Sequence, residues 1–203
     1  MNPGPPFEWL EKQIWPQIHT MMYNDACFKL IGEARKLTGQ FNDVIAWLLE
    51  VGYLSFQMLA IRRLCDDRTD VISLRRALRE TKSKRLATPD RIDPLLTRLD
   101  SCDRVRQLVN DYLAHTANSL RRPDVSDWNL RVGDLIEAQK AICQVAITLD
   151  RDLLGRKSPG KIIITPQLDV MQDFKFWVPD VAMKTLREFW HGHNKTVNAW
   201  IVS

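Results

Sequence analysis

The segment from Phe41 to Leu64 constrains the fold of this chain more than any other. Between Val44 and Ile61 its only charged or amide side chains are Glu50 and Gln57, and proline is absent. A helix predicted there is nearly apolar all round in its middle, and a helix of that kind belongs at the centre of a bundle. The same segment falls short of a spanning pattern, because no stretch of the chain reaches ~18 uninterrupted apolar residues. Glycine is scarce, with eight in 203 residues. So few flexible turn positions disfavour a β-rich fold and favour long helices. The predicted class is all-α.

The length suits one domain, and 45% hydrophobic with 27% charged residues is the balance of a globular chain. A net charge of +4 permits an anionic partner without demanding one. Cys27, Cys65, Cys102 and Cys143 are widely spaced and form no C-x-x-C pair, so reduced thiols are expected and a zinc knuckle is not. The start, Met1-Asn2-Pro3-Gly4-Pro5-Pro6, has neither the basic nor the apolar region of a signal peptide. A soluble, cytoplasmic protein is the expectation, without membrane association.

Along the chain, Phe7 to Tyr23 reads as a helix that Pro16 should kink or divide. Asp25 to Leu37 reads as a second helix, and Phe41 to Leu64 follows it. Cys65 to Asp70 is a polar break. A short helix begins at Ser73-Leu74 and ends in Lys82-Ser83-Lys84-Arg85. Thr88-Pro89 then supplies a cap and first turn for a helix reaching about Leu120. Val132 to Leu154 is a further amphipathic helix. After Gly155, Lys161–Thr165 and Phe174–Val178 suggest a small β-hairpin, and Pro179-Asp180 opens a last helix to about Trp200. The expected organisation is a helical bundle with an N-terminal helical extension over residues 1–154. Residues 155–203 form a small appendage packed on it.

No phosphate loop, H-E-x-x-H or G-x-S-x-G occurs. The histidines are few enough to weigh singly. His191 and His193 lie two apart on a helix, point to different sides, and read as exposed polar residues rather than metal ligands. His19 lies beside an apolar stripe and reads as structural. His115, in Asn110-Asp111-Tyr112-Leu113-Ala114-His115, is different. Asp111 precedes it by one helical turn and can fix its tautomer or favour the imidazolium. The competing reading is a helix-terminal histidine that complements the macrodipole. A second signal is the segment Arg62-Arg63-Leu64-Cys65-Asp66-Asp67-Arg68-Thr69-Asp70, followed by Ser73-Leu74-Arg75-Arg76: between Arg75 and Arg85 six cations, including Arg79, stand against the single acid Glu80. Such a cluster suits phosphate, or forms a solvated face.

The helix ending in Arg63-Leu64-Cys65-Asp66, the following Ser73-Leu74 and the later Leu113-Ala114-His115 together resemble the AbiU-like, abortive-infection branch of the HEPN superfamily, over roughly residues 24 to 152. The resemblance implies a HEPN-like helical bundle, dimeric, acting on RNA or a nucleotide. It further implies a metal-independent endoribonuclease of prokaryotic defence or toxin–antitoxin systems, with a cognate antitoxin or nucleotidyltransferase partner and no cofactor. Its alternative is a degenerate, binding-only member of the same fold. The superfamily's signature is an arginine, usually a polar residue next, and a histidine four to six residues after the arginine. His115 matches the histidine and Asn110 the polar residue, while Val109 stands where the arginine is expected. Arg106 falls on the opposite side of the helix, and Arg104 lies ~16 Å up its axis. On this resemblance His115 moves the proton, Asn110 and Asp111 orient the reacting groups, and a cation comes from Arg63, Arg121, Arg122 or a second subunit. Seven tryptophans, a residue type favoured at interfaces, accord with a homodimer joining the two His115 helices.

Overall fold

A computed structural model describes residues 5–39, 42–110, 131–155, 169–173 and 178–200. Every regular element among them is helical, as the scarcity of glycine led one to expect. The short turn α1 (Phe7–Trp9) runs through a π-helical turn (Leu10–Ile14) into α2 (Trp15–Thr38). Proline has no N–H to donate, and the wide turn just ahead of Pro16 is where the ladder adjusts to that loss. The break expected near Tyr23–Asp25 does not occur. Asn24 donates to the Thr20 carbonyl at 2.9 Å, and Lys29 pairs with Asp25 at 2.7 Å, so side chains stitch the helix through that point. Gly39, with φ of 64°, ends the run.

Helix α3 (Asp43–Leu64) starts two residues later than the sequence suggests, because Asn42 caps it: Oδ1 accepts the Ile45 N–H at 3.0 Å. Ser73 caps α4 (Leu74–Ser83) in the same way and also donates its hydroxyl to the Asp66 carbonyl at 2.6 Å. Pro89 opens α5 (Pro89–Arg98). The single long helix expected from there is interrupted by a 3₁₀ turn (Leu99–Cys102) before α6 (Asp103–Val109). That tightened turn presents Asp100 and Asp103 together to Arg75. Next come α7 (Val132–Ile147), closed by a π turn (Thr148–Leu153), then α8 (Val170–Asp173) and α9 (Asp180–Ala199). The proposed hairpin segments, apart from the buried Val178, lie outside the described residues.

The chain forms two compact units, Met1–Ile18 with Met58–Lys161, and His19–Gln57 with Ile162–Ser203. In the first, Ile92, Leu99, Val105, Leu135, Ile142 and Leu149 are all fully buried, and Trp15 donates Nε1–H to Asp150 at 2.9 Å. In the second, Ala26, Leu30 and Ala34, one turn apart on α2, meet Met183, Leu186 and Trp190 of α9. The two alanines let the helices approach, and Leu30 fills the space between them. The C-terminal residues expected to be an appendage on one bundle therefore share a core with residues 19–57.

The placement of α3 corrects the expectation of a central helix. Its inward side in the second unit joins ring stacking to polar bonds: the Tyr53 ring stacks on Phe28 with centroids 3.9 Å apart and its hydroxyl donates to Asp25 at 2.6 Å, while Gln57 donates to the Met21 carbonyl at 3.0 Å. Trp47 is 59% exposed, with Val44, Leu48 and their neighbours open as well. Among the described residues α3 alone is long and apolar enough, by length and composition, to cross a membrane.

Candidate RNA-contacting site

The first unit carries the residues on which the resemblance rests. Helix α3 ends in Ile61, Arg62, Arg63 and Leu64, with Ile61 and Leu64 fully buried. This phase turns Arg62 toward the motif helix and Arg63 outward. Arg62 donates Nε–H to Asn110 Oδ1 at 2.8 Å, whereas Arg63 is exposed. The turn after α3 is held by Asp66, 6% exposed, whose Oδ1 accepts the Arg68 backbone N–H at 2.9 Å. A cavity of about 530 Å³ lies over this turn, with Arg62, Arg63, Arg68 and Gln13 among its walls and Asp66 and Asp70 beside them. Arg68 Nε pairs with Asp66 at 3.3 Å and Arg62 Nε with Asn110, while Arg63 is exposed, so the open cleft offers a phosphate Arg63 and the remaining N–H groups of the other two.

The sequence takes in Arg62 only as part of the basic segment Arg62–Asp70 and puts forward Arg63 as the candidate cation. The signal was available in the helical phase: Met58, Ile61 and Leu64 define the buried face, and residue 62, one turn after 58, stands at its edge. Asn110 is the last described residue before Arg131. His115, Asp111, Arg121 and Arg122, four residues singled out in the sequence, lie outside the described residues.

The other three candidate cations are placed together on α4, but largely committed to structural partners. Arg75 is 7% exposed and reaches Asp100 at 2.9 Å, Asp103 at 3.0 Å and Asp67 at 3.7 Å. Arg79 pairs with Asp67 at 2.9 Å and also donates to its backbone carbonyl. The Arg76 guanidinium sits 4.5 Å over the Trp9 ring. Asp67 is the hub, since Arg106 joins it too. Partial burial pushes the Asp67 carboxyl up, but the Arg106 hydrogen bond and the charges of Arg75 and Arg106 outweigh this and hold it below its ordinary value. The basic run read from sequence is therefore largely neutralised by acids distant in the chain. Beyond it, Lys82, Arg85 and Arg91 edge a second cleft of about 590 Å³.

Val109 is fully buried, so the position expected to hold the motif arginine is a core position. Arg106 is bound to Asp67 and Asp103, and Arg104 lies 3.5 Å from Asp134. The only described cation shown bonded to the motif's Asn110 side chain is Arg62.

In the second unit, His193 is not the exposed residue that its H-x-H setting suggests. Its side chain is 9% exposed and its Nε2 lies 3.9 Å from the buried Asp25, which also receives Tyr53 and Lys29. Burial, and then the Lys29 charge, lower the His193 pKa, against the pull of Asp25. Among the described residues no group of three or more His, Cys, Asp or Glu is arranged to hold a metal ion. The four cysteines form no disulfide, and burial raises the Cys65 thiol well above its ordinary range.

These features define an all-α protein with an arginine-walled cleft beside Asn110. Compared with protein-family models, curated proteins and solved structures, the chain matches none.

Proposed function

We propose that this protein acts on RNA as a HEPN-like, metal-independent endoribonuclease, with Arg62 supplying the cation that its motif helix lacks. The observation that carries the reading is the 2.8 Å hydrogen bond from Arg62 to Asn110, five residues before His115. It brings a guanidinium from a second helix to the motif's polar residue, beside a cleft that Arg63 and Arg68 also border. In this reaction the RNA 2′-oxygen forms a bond to phosphorus as the bond to the 5′-oxygen breaks. His115 takes the proton from the 2′-hydroxyl and returns it to the leaving oxygen, which suits an imidazole near neutrality. Arg62 stabilises the charge that grows on the phosphate. Asp111 orients His115, and Asn110 is held by Arg62 to orient the phosphate or the hydroxyl. The role places the protein in the cytoplasm, in a defence or toxin–antitoxin setting with a cognate neutralising partner.

A binding-only role is the second reading. The burial of Val109 favours it, because the motif position ahead of His115 holds a core valine and no arginine. RNA affinity separates the cleft from the α4 cluster. Binding of a single-stranded RNA should weaken steeply with salt, as released counterions require. Arg63→Glu with Arg68→Glu should abolish it at ~150 mM salt, where the Debye length is ~8 Å. Unchanged binding in that double variant would remove the cleft from the account.

A further inference from the structure

We infer that the outward face of α3 is a self-association surface, occupied by α3 of a second copy of this chain. Over residues 43–57, helix α3 turns most of its large apolar side chains outward. Its polar residues Tyr53 and Gln57 bond to α2, while Val44, Ile45, Trp47, Leu48, Val51 and Phe56 are between 37% and 65% exposed. At ~100° per residue, the open apolar arc covers about 200°, twice what one packed stripe needs. Those exposures leave roughly 600 Å² of large apolar side chains open, at the upper end of what monomers show and approaching the ~800 Å² each partner gives to a stable interface.

The middle of the face selects the occupant. Gly52 and Ser55 lie within the arc, and a Cβ at Gly52 would meet nothing within 4 Å. Small residues between Trp47 and Phe56 make a saddle where another helix backbone can come close. A two-fold axis at Gly52 sets Trp47 of one copy about level with Phe56 of the other, so each large ring flanks the crossing point. A lipid surface gains nothing from the saddle. Its hydrocarbon would also have to accept Glu50, which is exposed within the same three turns.

The inference does not depend on RNA chemistry. Light scattering coupled to gel filtration, on the full chain at ~10 and ~100 μM, should give twice the 23.6 kDa chain mass. Leu48→Glu should return a single-chain mass with an unchanged far-ultraviolet helical signal. Gly52→Leu should do the same by blocking close approach, although it adds apolar surface and has free space in the single chain. A wild type of single-chain mass at ~100 μM would overturn the inference, whether or not it floats with phosphatidylcholine–phosphatidylglycerol vesicles. So would a dimer that both substitutions leave intact.

Discussion

Arg75 shows how a basic residue in a cationic run becomes part of the framework. Its guanidinium is buried, while its partners Asp67, Asp100 and Asp103 keep 41–55% of their side-chain surface in water. Arg75→Ala should cost about 2–3 kcal/mol in urea unfolding, less than the ~3–5 kcal/mol of breaking a fully buried pair, because water rescues the acids. Arg75→Lys should recover only part of this, since one ammonium cannot reproduce the forked donation. A loss under ~0.5 kcal/mol would mean the acids are indifferent to their partner. His193 gives a prediction of a different sign. Its pKa is lowered in the folded chain from 6.5, with burial as the main cause, so below that value the unfolded chain takes up a proton that the native chain resists. Stability should therefore fall as pH drops below about 6.5. His193→Gln should reduce that slope, with His19, shifted the same way by burial, retaining part of it. An identical pH profile in wild type and variant would rule out this role. At this scale the resemblance marked Asn110 and Arg63, whereas Arg62 was read only as one cation of a basic segment. Adjacent arginines differ by ~100° around a helix, and only packing decides which one turns toward the motif.

Helices were legible where local chemistry acts alone. Ser73 before α4, Pro89 at the start of α5 and Pro179 before α9 were all readable as starts, because a cap or a fixed φ needs no distant partner. The 3₁₀ turn at Leu99–Cys102 was not readable, because its Asp100 is drawn to Arg75, 25 residues away in sequence. Nor was the orientation of α3: an all-round apolar helix has no preferred face, and Tyr53 and Gln57 found their partners on α2. The end of α4 carries its own strain. Arg85 has φ of 55°, and the N–H groups of Arg85 and Leu86 close the helix on the Lys82 and Thr81 carbonyls. That closure prefers glycine. Arg85→Gly should raise stability by about 0.5–1 kcal/mol, seen as a higher midpoint in thermal unfolding. A decrease would show that the Arg85 side chain makes a contact worth more than the strain.

For the whole molecule, the all-α class followed from composition and helical period, whereas the grouping into two units did not. Residues 19–57 and the C-terminal helix are joined by the stripe of Ala26, Leu30 and Ala34, a packing relation with no local signature. The central claim concerns chemistry at the other unit, where Arg62 meets the helix leading to His115. It is tested by RNA cleavage in excess chelator, comparing wild type, His115→Ala and Arg62→Ala at equal helical content. The account predicts cleavage by the wild type without metal and none with His115→Ala. Arg62→Ala should be slower by ~10²–10³, the usual loss for a transition-state donor. A wild type that binds RNA without cutting it, or a His115→Ala variant that cuts as fast as the wild type, would contradict the account.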